Sequence, residues 1–206
     1  MRKSLLLLSV VAIASSALAF DISDLFHKKY FPWSYGKCDH QHYIKDFDPN
    51  RFFRNHWYEH SSYGKYVFQV DGTCSAFESD IQENHINYLF YQYAPLLKKY
   101  AYLRGETDLT NTDSPNYYVQ FNFLAGLANV KLPLRVLATD YDNYAIFYSC
   151  QEAFGFKAEM AWIATRERGD HSHDNKIKQQ VTKAGFNYDH FIPQKSTDCG
   201  PDEPRL

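Results

Sequence analysis

The chain has 206 residues, of which 45% are apolar and 22% are charged, and its formal net charge is −2. These values are typical of one ordinary globular domain, and they exclude an electrostatic nucleic-acid binder, which needs a strongly basic surface. Aromatic residues are unusually frequent, with 17 Tyr, 16 Phe and 3 Trp. Since aromatic side chains favour strands and line apolar pockets, the composition indicates a β protein that binds a ligand.

The N-terminus, residues 1–19, predicts a secretory signal peptide. Arg2 and Lys3 precede a short apolar run, and Ala17 and Ala19 stand where signal peptidase expects small residues. The run is too short for the roughly 20 residues of a membrane-spanning helix. We therefore expect cleavage after Ala19, a secreted extracellular product that does not bind membranes, and a single domain over residues 20–206.

Four cysteines remain in the mature chain, and in an oxidising compartment an even number predicts two disulfides. They are Cys38, Cys74, Cys150 and Cys199. None belongs to a Cys-x-x-Cys pair, which disfavours zinc-binding and thioredoxin-like interpretations. The spacing alone leaves all three connectivities open.

Eight strand-like segments follow one another, each rich in Tyr, Phe, Val or Ile and bounded by polar or Gly/Pro-containing turns. They span 56–66, 74–82, 85–94, 98–106, 116–123, 132–139, 143–151 and 159–168. The pattern predicts an all-β fold, either a sandwich or an up-and-down barrel.

One helix is expected after the strands, from Asp174 to Ala184. Ile177 and Val181 form its apolar stripe, and Gly185 suits the position after its end. Residues that could cap its N-terminus are Asp170, Ser172 and Asp174. The Pro-containing tail, residues 200–206, is expected to be loose.

Three motifs, taken in order, resemble those of the lipocalin family. The first is the segment 53–59, Phe-Arg-Asn-His-Trp-Tyr-Glu, which matches the family's Gly-x-Trp motif with Asn55 in place of Gly. The second is Thr-Asp-Tyr-Asp-Asn-Tyr at 139–144, and the third is Arg166 at the end of the eighth strand. The chain is most similar to the arthropod pigment-binding lipocalins, of the insecticyanin, bilin-binding and crustacyanin type.

The resemblance implies an eight-stranded antiparallel up-and-down barrel with one C-terminal helix. It also implies the pairings Cys38–Cys150 and Cys74–Cys199, and a barrel end closed by Trp57 under the guanidinium of Arg166. An indole and a guanidinium in this arrangement gain cation–π and stacking energy, so the role of this pair is structural.

The ligand cavity should be lined by one parity of each strand, because successive side chains point to opposite faces. The expected lining residues are Ile86, Tyr88, Phe90, Tyr117, Val119, Phe121, Phe123, Met160 and Trp162. The alternative is that these side chains fill a solid core, since eight strands are the threshold for enclosing one ligand.

The resemblance implies a secreted carrier of a hydrophobic pigment, biliverdin or a carotenoid such as astaxanthin, held without a covalent bond. The alternatives are a carrier of colourless lipids and a storage or structural lipocalin with a largely filled barrel. A long pigment would protrude from the mouth, so we expect a homo- or hetero-oligomer of like subunits that covers it through aromatic loops. Tyr63, Tyr66 and Phe68 are the expected interface residues.

Catalysis and metal binding are not expected. The chain has no nucleophile-elbow, metalloprotease or P-loop motif, and its four cysteines are all accounted for by two disulfides. Nine histidines invite a metal or haem hypothesis, above all in Asp-His-Ser-His-Asp at 170–174. A solvated loop that caps the helix explains this very polar segment, so the sequence predicts neither an enzyme nor a metal site.

Overall fold

A computed structural model describes residues 33–39, 43–64, 72–109, 115–123 and 128–206, without the side chains of 122, 123 and 128–130. The predicted signal peptide lies outside the described residues, as do Tyr66 and Phe68.

Eight long antiparallel strands form a closed barrel in which each strand pairs with the next and β9 pairs back with β2. They are β2 (Asn55–Tyr63), β3 (Thr73–Gln82), β4 (His85–Ala94), β5 (Lys99–Asp108), β6 (Asn116–Phe123), β7 (Ala128–Thr139), β8 (Tyr144–Ala153) and β9 (Phe156–Thr165). This confirms the predicted up-and-down barrel. Two short strands extend the sheet, β1 (Trp33–Tyr35) beside β9 and β10 (Ile192–Pro193) beside β2.

A short helix, α1 (Pro49–Phe52), lies just before the barrel. Asp48 caps it by accepting hydrogen bonds from the backbone N–H groups of Asn50 and Arg51, at 3.0 and 3.2 Å, and Pro49 supplies the preset φ of a first helical position. The chain then enters β2 through Asn55, whose φ of +56° is one that Asn tolerates better than most residues.

The second helix, α2 (Asp174–Lys183), confirms the predicted C-terminal helix. Its N-cap residue is His173, which makes no side-chain capping bond, so none of the three predicted caps occupies that position. Gly185 follows the helix at φ +89°, as the sequence predicts. Among the described residues, no helix is long and apolar enough to cross a bilayer.

Alternation along the strands sorts the buried side chains into two clusters. The inner cluster fills the barrel around Trp57, Tyr117 and Phe147. The outer cluster lies between the barrel wall and α2, where Ile177 and Val181 pack near the outward-facing residues of β8. Both helical residues are fully buried, so α2 is held by the apolar stripe that its sequence predicts.

Disulfides join Cys38 to Cys150 and Cys74 to Cys199, with Cα–Cα distances of 5.9 and 5.7 Å. Beyond Cys199 the tail is not loose, in contrast to the prediction. Glu203 accepts a hydrogen bond from the Tyr91 hydroxyl at 3.1 Å and forms a salt bridge with Arg168. The tail therefore lies against the barrel wall, because the carboxylate of Glu203 has both a hydrogen-bond donor and a cation there.

Candidate functional site

The barrel has two ends that differ in composition. At the closed end lie α1, the start of β2 and the β7–β8 turn; at the open end lie the last residues of β2, β4, β6 and β8 and the first residues of the strands that follow them.

The structure places the predicted cavity residues on the inward face wherever it describes their side chains. Four of them belong to the inner cluster, and Phe121 and Trp162 pack against it. The four are Ile86, Tyr88, Tyr117 and Val119. Met160 shares the face of Trp162, and Phe90 lies opposite the inward Phe77 in the neighbouring strand. The side chain of Phe123 lies outside the described residues.

Aromatic side chains fill the closed end. Phe52 lies 5.4 Å, between ring centroids, from both Trp57 and Phe147, while Phe53 lies 5.1 Å from Tyr117. The indole N–H of Trp57 donates to the carbonyl of Phe52 at 3.1 Å, so the buried ring leaves no polar group unpaired. This end of the barrel is a packed core.

Arg166 seals the same end from outside. Its guanidinium carbon lies 3.5 Å from the centre of the Trp57 ring. Its N–H groups donate to backbone carbonyls of two segments, 51–56 and Tyr141, at 3.0–3.1 Å for four of these bonds. Burial, together with the nearby positive charge of Arg54, lowers the pKa of Arg166 to about 10. The arginine remains charged at neutral pH and holds β2, α1 and the β7–β8 turn together.

Towards the open end, the inward face carries polar groups. Among the described residues, six buried side-chain atoms on the inward face have no hydrogen-bond partner in the protein: Gln92 Oε1, Ser149 Oγ and Trp162 Nε1, and, nearer the closed end, the hydroxyl oxygens of Ser79, Tyr88 and Tyr117. Gln92 and Ser149 come late in β4 and β8, which run towards the open end. Buried polar atoms are almost always paired, so these atoms indicate a place where a ligand supplies the partners.

Glu59 is the acidic group of this interior, two residues after Trp57 and opposite the inward Ala164. Only 7% of it is exposed. Burial raises the pKa of Glu59 to about 7, although hydrogen bonds from the hydroxyls of Ser62 and Ser75 act in the opposite direction. Sequence reasoning did not place Glu59 among the site residues, because a lone acid near a barrel end is also typical of a solvated rim.

Histidines do not line the described part of the interior. His56 and His85 alternate with the inward Trp57 and Ile86 and so face outwards, and His60 faces α2 on the outer side of the wall. His171, His173 and His190 follow the last barrel strand and lie outside the barrel. None of these six is placed to ligate a group inside the cavity.

Exposed apolar side chains gather at the open end. Leu96 and Leu97 are 95% and 70% exposed in the β4–β5 hairpin, and Phe154 is fully exposed in the β8–β9 hairpin. Tyr63, which the sequence places in an exposed loop, instead packs against Phe186, with 5.4 Å between ring centroids. Leu96, Leu97 and Phe154 form the apolar rim that the structure describes, while Tyr66 and Phe68, the other two expected interface residues, lie outside the described residues.

Comparison with known proteins identifies the family. The nitrophorin family profile matches residues 38–206. Apolipoprotein D of Macaca fascicularis is 32% identical over 135 residues, which cover 65% of this chain and 68% of that protein. The chain belongs to the nitrophorin family of the lipocalins.

Two solved structures share the fold of this lipocalin. Insecticyanin of the tobacco hornworm Manduca sexta superposes with a TM-score of 0.71 at 21% identity, over 81% of this chain and 89% of insecticyanin. H1 crustacyanin of the lobster Homarus americanus gives a TM-score of 0.62 at 17% identity, over 82% of this chain and 93% of crustacyanin. At these identities the likeness concerns the fold alone.

Proposed function

We propose that this lipocalin is a secreted, non-catalytic carrier that binds a hydrophobic pigment in the open part of its barrel. The observation that carries the proposal is the set of buried, unpartnered polar atoms on a mostly apolar inward face, which run from Tyr117 and Tyr88 to Trp162, Ser149 and Gln92. An apolar pocket with a few convergent polar groups is the usual form of a small-molecule site. The two disulfides support an oxidising, extracellular location.

Of the two pigments that the sequence suggests, the interior chemistry favours biliverdin. A linear tetrapyrrole carries N–H and C=O groups along its whole length, whereas a carotenoid such as astaxanthin is a hydrocarbon between its two end rings. The buried carboxyl of Glu59, in the middle of the wall, accepts hydrogen bonds from Ser62 and Ser75 and still has free acceptor positions, which a carotenoid chain could not use. The pyrrole nitrogens of a bilin are suitable partners for this carboxylate.

The test is an absorption titration of the purified mature protein with biliverdin and, separately, with astaxanthin. We expect a saturable change in the biliverdin spectrum at one pigment per chain. Glu59→Gln should weaken biliverdin binding or change its spectral shift, while Glu83→Gln, on an exposed turn, should not. Saturable binding of astaxanthin alone would select the carotenoid, and binding only of a colourless fatty acid would reject the pigment.

A barrel of this size leaves part of a long pigment at its mouth, so we also propose that like subunits cover it. The apolar rim at Leu96, Leu97 and Phe154 supports this proposal, because exposed apolar surface costs about 25 cal/mol per Å² in water. The rim surrounds the same end at which the ligand would protrude.

A further inference from the structure

The outer side of the barrel carries a cluster of side chains that the ligand site does not use. His60 stands at a bulge in β2, where the pairing with β9 shifts between Glu59 and Ser61. Alternation from the inward Trp57 and Glu59 points the imidazole outwards, against the segment that leads into α2, and His60 is only 6% exposed there. His171 and Asp174 approach it from that segment.

Donor atoms of three side chains converge in a triangle at this point. Nε2 of His60 lies 2.9 Å from Nδ1 of His171 and 3.0 Å from Oδ1 of Asp174, and Nδ1 of His171 lies 3.1 Å from Oδ2 of Asp174. Metal–ligand bonds of about 2.0–2.1 Å place neighbouring tetrahedral ligands roughly 3.3 Å apart. The observed contacts, in which the two histidines approach different oxygens of Asp174, are slightly shorter than this separation, and small movements of the exposed His171 would lengthen them to it.

Protons alone satisfy this triangle poorly. A neutral imidazole carries one N–H, and the two facing nitrogens of His60 and His171 share a single short contact while both also approach the carboxylate. A cation between the three side chains would accept a lone pair from each of them at once.

The surroundings of His60 fit a metal ligand. Its other ring nitrogen, Nδ1, lies 3.1 Å from the hydroxyl of Ser61, and an Nδ1–H bond to that oxygen leaves the lone pair on Nε2. The side chains of His171 and Asp174 are 64% and 40% exposed. Solvent therefore reaches the centre of the triangle and can supply a fourth ligand, as in zinc sites with three protein ligands.

We propose that His60, His171 and Asp174 bind one divalent transition-metal ion of the Zn²⁺ type on the outer wall of the barrel. The ligand set of two imidazoles and one carboxylate suits Zn²⁺ and not the oxygen-seeking Mg²⁺ or Ca²⁺. Bound metal would tie β2 to the first residue of α2 and fix the helix on the barrel. His173 lies on the same segment, but its nearest acidic partner is Asp170, at 3.9 Å.

The test is Zn²⁺ titration by calorimetry of the mature, disulfide-bonded protein, prepared without a histidine tag and stripped with a chelator. We expect one Zn²⁺ per chain and visible absorption typical of four-coordinate Co²⁺ when cobalt replaces zinc. His171→Ala and Asp174→Asn should each weaken Zn²⁺ binding at least about tenfold. His173→Ala is the matched control, because it removes a histidine of the same loop and should leave the affinity unchanged.

The exposed positions of His171 and Asp174 keep this test independent of folding, which circular dichroism of each variant verifies. Equal Zn²⁺ affinity of the wild type and His171→Ala would overturn the proposal. Absence of saturable Zn²⁺ binding by the folded wild type, or an equal loss in His173→Ala, would overturn it as well.

Discussion

Trp57 and Glu59 occupy successive inward positions of one strand, yet their polar atoms have very different surroundings. The indole N–H of Trp57 has a backbone carbonyl as partner and a guanidinium over its ring. The carboxyl of Glu59 has only two serine hydroxyls to offset its burial. Trp57 therefore stabilises the fold. Glu59 lowers the stability of the folded protein, and its carboxyl can still accept a hydrogen bond.

Glu59 should make the stability of the protein fall as pH rises. Its pKa is about 7 in the folded protein against a usual value of 4.5, so the folded state binds more protons between these two pH values. The free energy of unfolding then decreases from about pH 4.5 to about pH 7, by up to about 3 kcal/mol from this group. Urea unfolding at pH 5 and 7.5 should show a smaller loss in Glu59→Gln than in the wild type. An equal loss in both proteins would mean that Glu59 ionises normally.

Trp57 and Arg166 should differ in what their substitution costs. Trp57→Ala removes a fully buried aromatic ring, which costs about 3–5 kcal/mol. Arg166→Ala should cost less, and Arg166→Lys should cost about 2 kcal/mol because an ammonium cannot span the carbonyls that the guanidinium joins. Chemical denaturation measures all three variants. A neutral Trp57→Ala would show that the closed end is not a core.

At the scale of elements, period-2 alternation predicts the strands well. One face of the wall packs in the inner cluster, and part of the other face packs against α2. The segment 116–123 coincides with β6, and the helix starts at the predicted Asp174. The prediction fails where a tertiary contact decides. The tail is held by Glu203, and His60 meets His171 because the segment before α2 lies against the outer side of β2. Neither contact leaves a local pattern in the sequence.

The Cys74–Cys199 bond should matter to both stability and the tail. Its half-cystines are 125 residues apart, and closing so long a loop contributes about 5 kcal/mol in the chain-entropy model. The double variant Cys74→Ser/Cys199→Ser should therefore unfold at a much lower denaturant concentration, and limited proteolysis should release its C-terminal tail first. A tail that stays equally protected would show that Glu203 and its partners hold it without the disulfide.

At the scale of the whole molecule, the barrel separates its tasks by position. Aromatic packing and Arg166 close one end, polar atoms line the wall above it, and Leu96, Leu97 and Phe154 expose apolar side chains at the other end. The sequence predicts the fold, and it predicts which residues face inwards. It did not predict Glu59 as a site residue or Leu96, Leu97 and Phe154 as the rim. The role of an isolated acid, or of a Leu or Phe in a hairpin, depends on the end of the barrel at which it lies.

The rim should govern assembly. Phe154→Asp places a charge on a fully exposed apolar position of the open end and should shift the pigment-loaded protein from dimer or larger assembly towards monomer. Tyr118→Asp changes an aromatic residue that is 65% exposed near the closed end of β6, and it should leave the assembly unchanged. Sedimentation velocity measures both variants. If the pigment-loaded wild-type protein sediments as a monomer, the proposed assembly of like subunits is wrong.

The most direct test of the central claim is the absorption spectrum of the protein purified from the tissue that makes it. A pigment carrier predicts visible absorption that copurifies with the protein and is transferred to organic solvent when the protein is denatured. Mass spectrometry of the extract should identify biliverdin at one molecule per chain. A colourless protein whose extract contains only lipid, or no ligand at all, would contradict the proposal that this barrel carries a pigment.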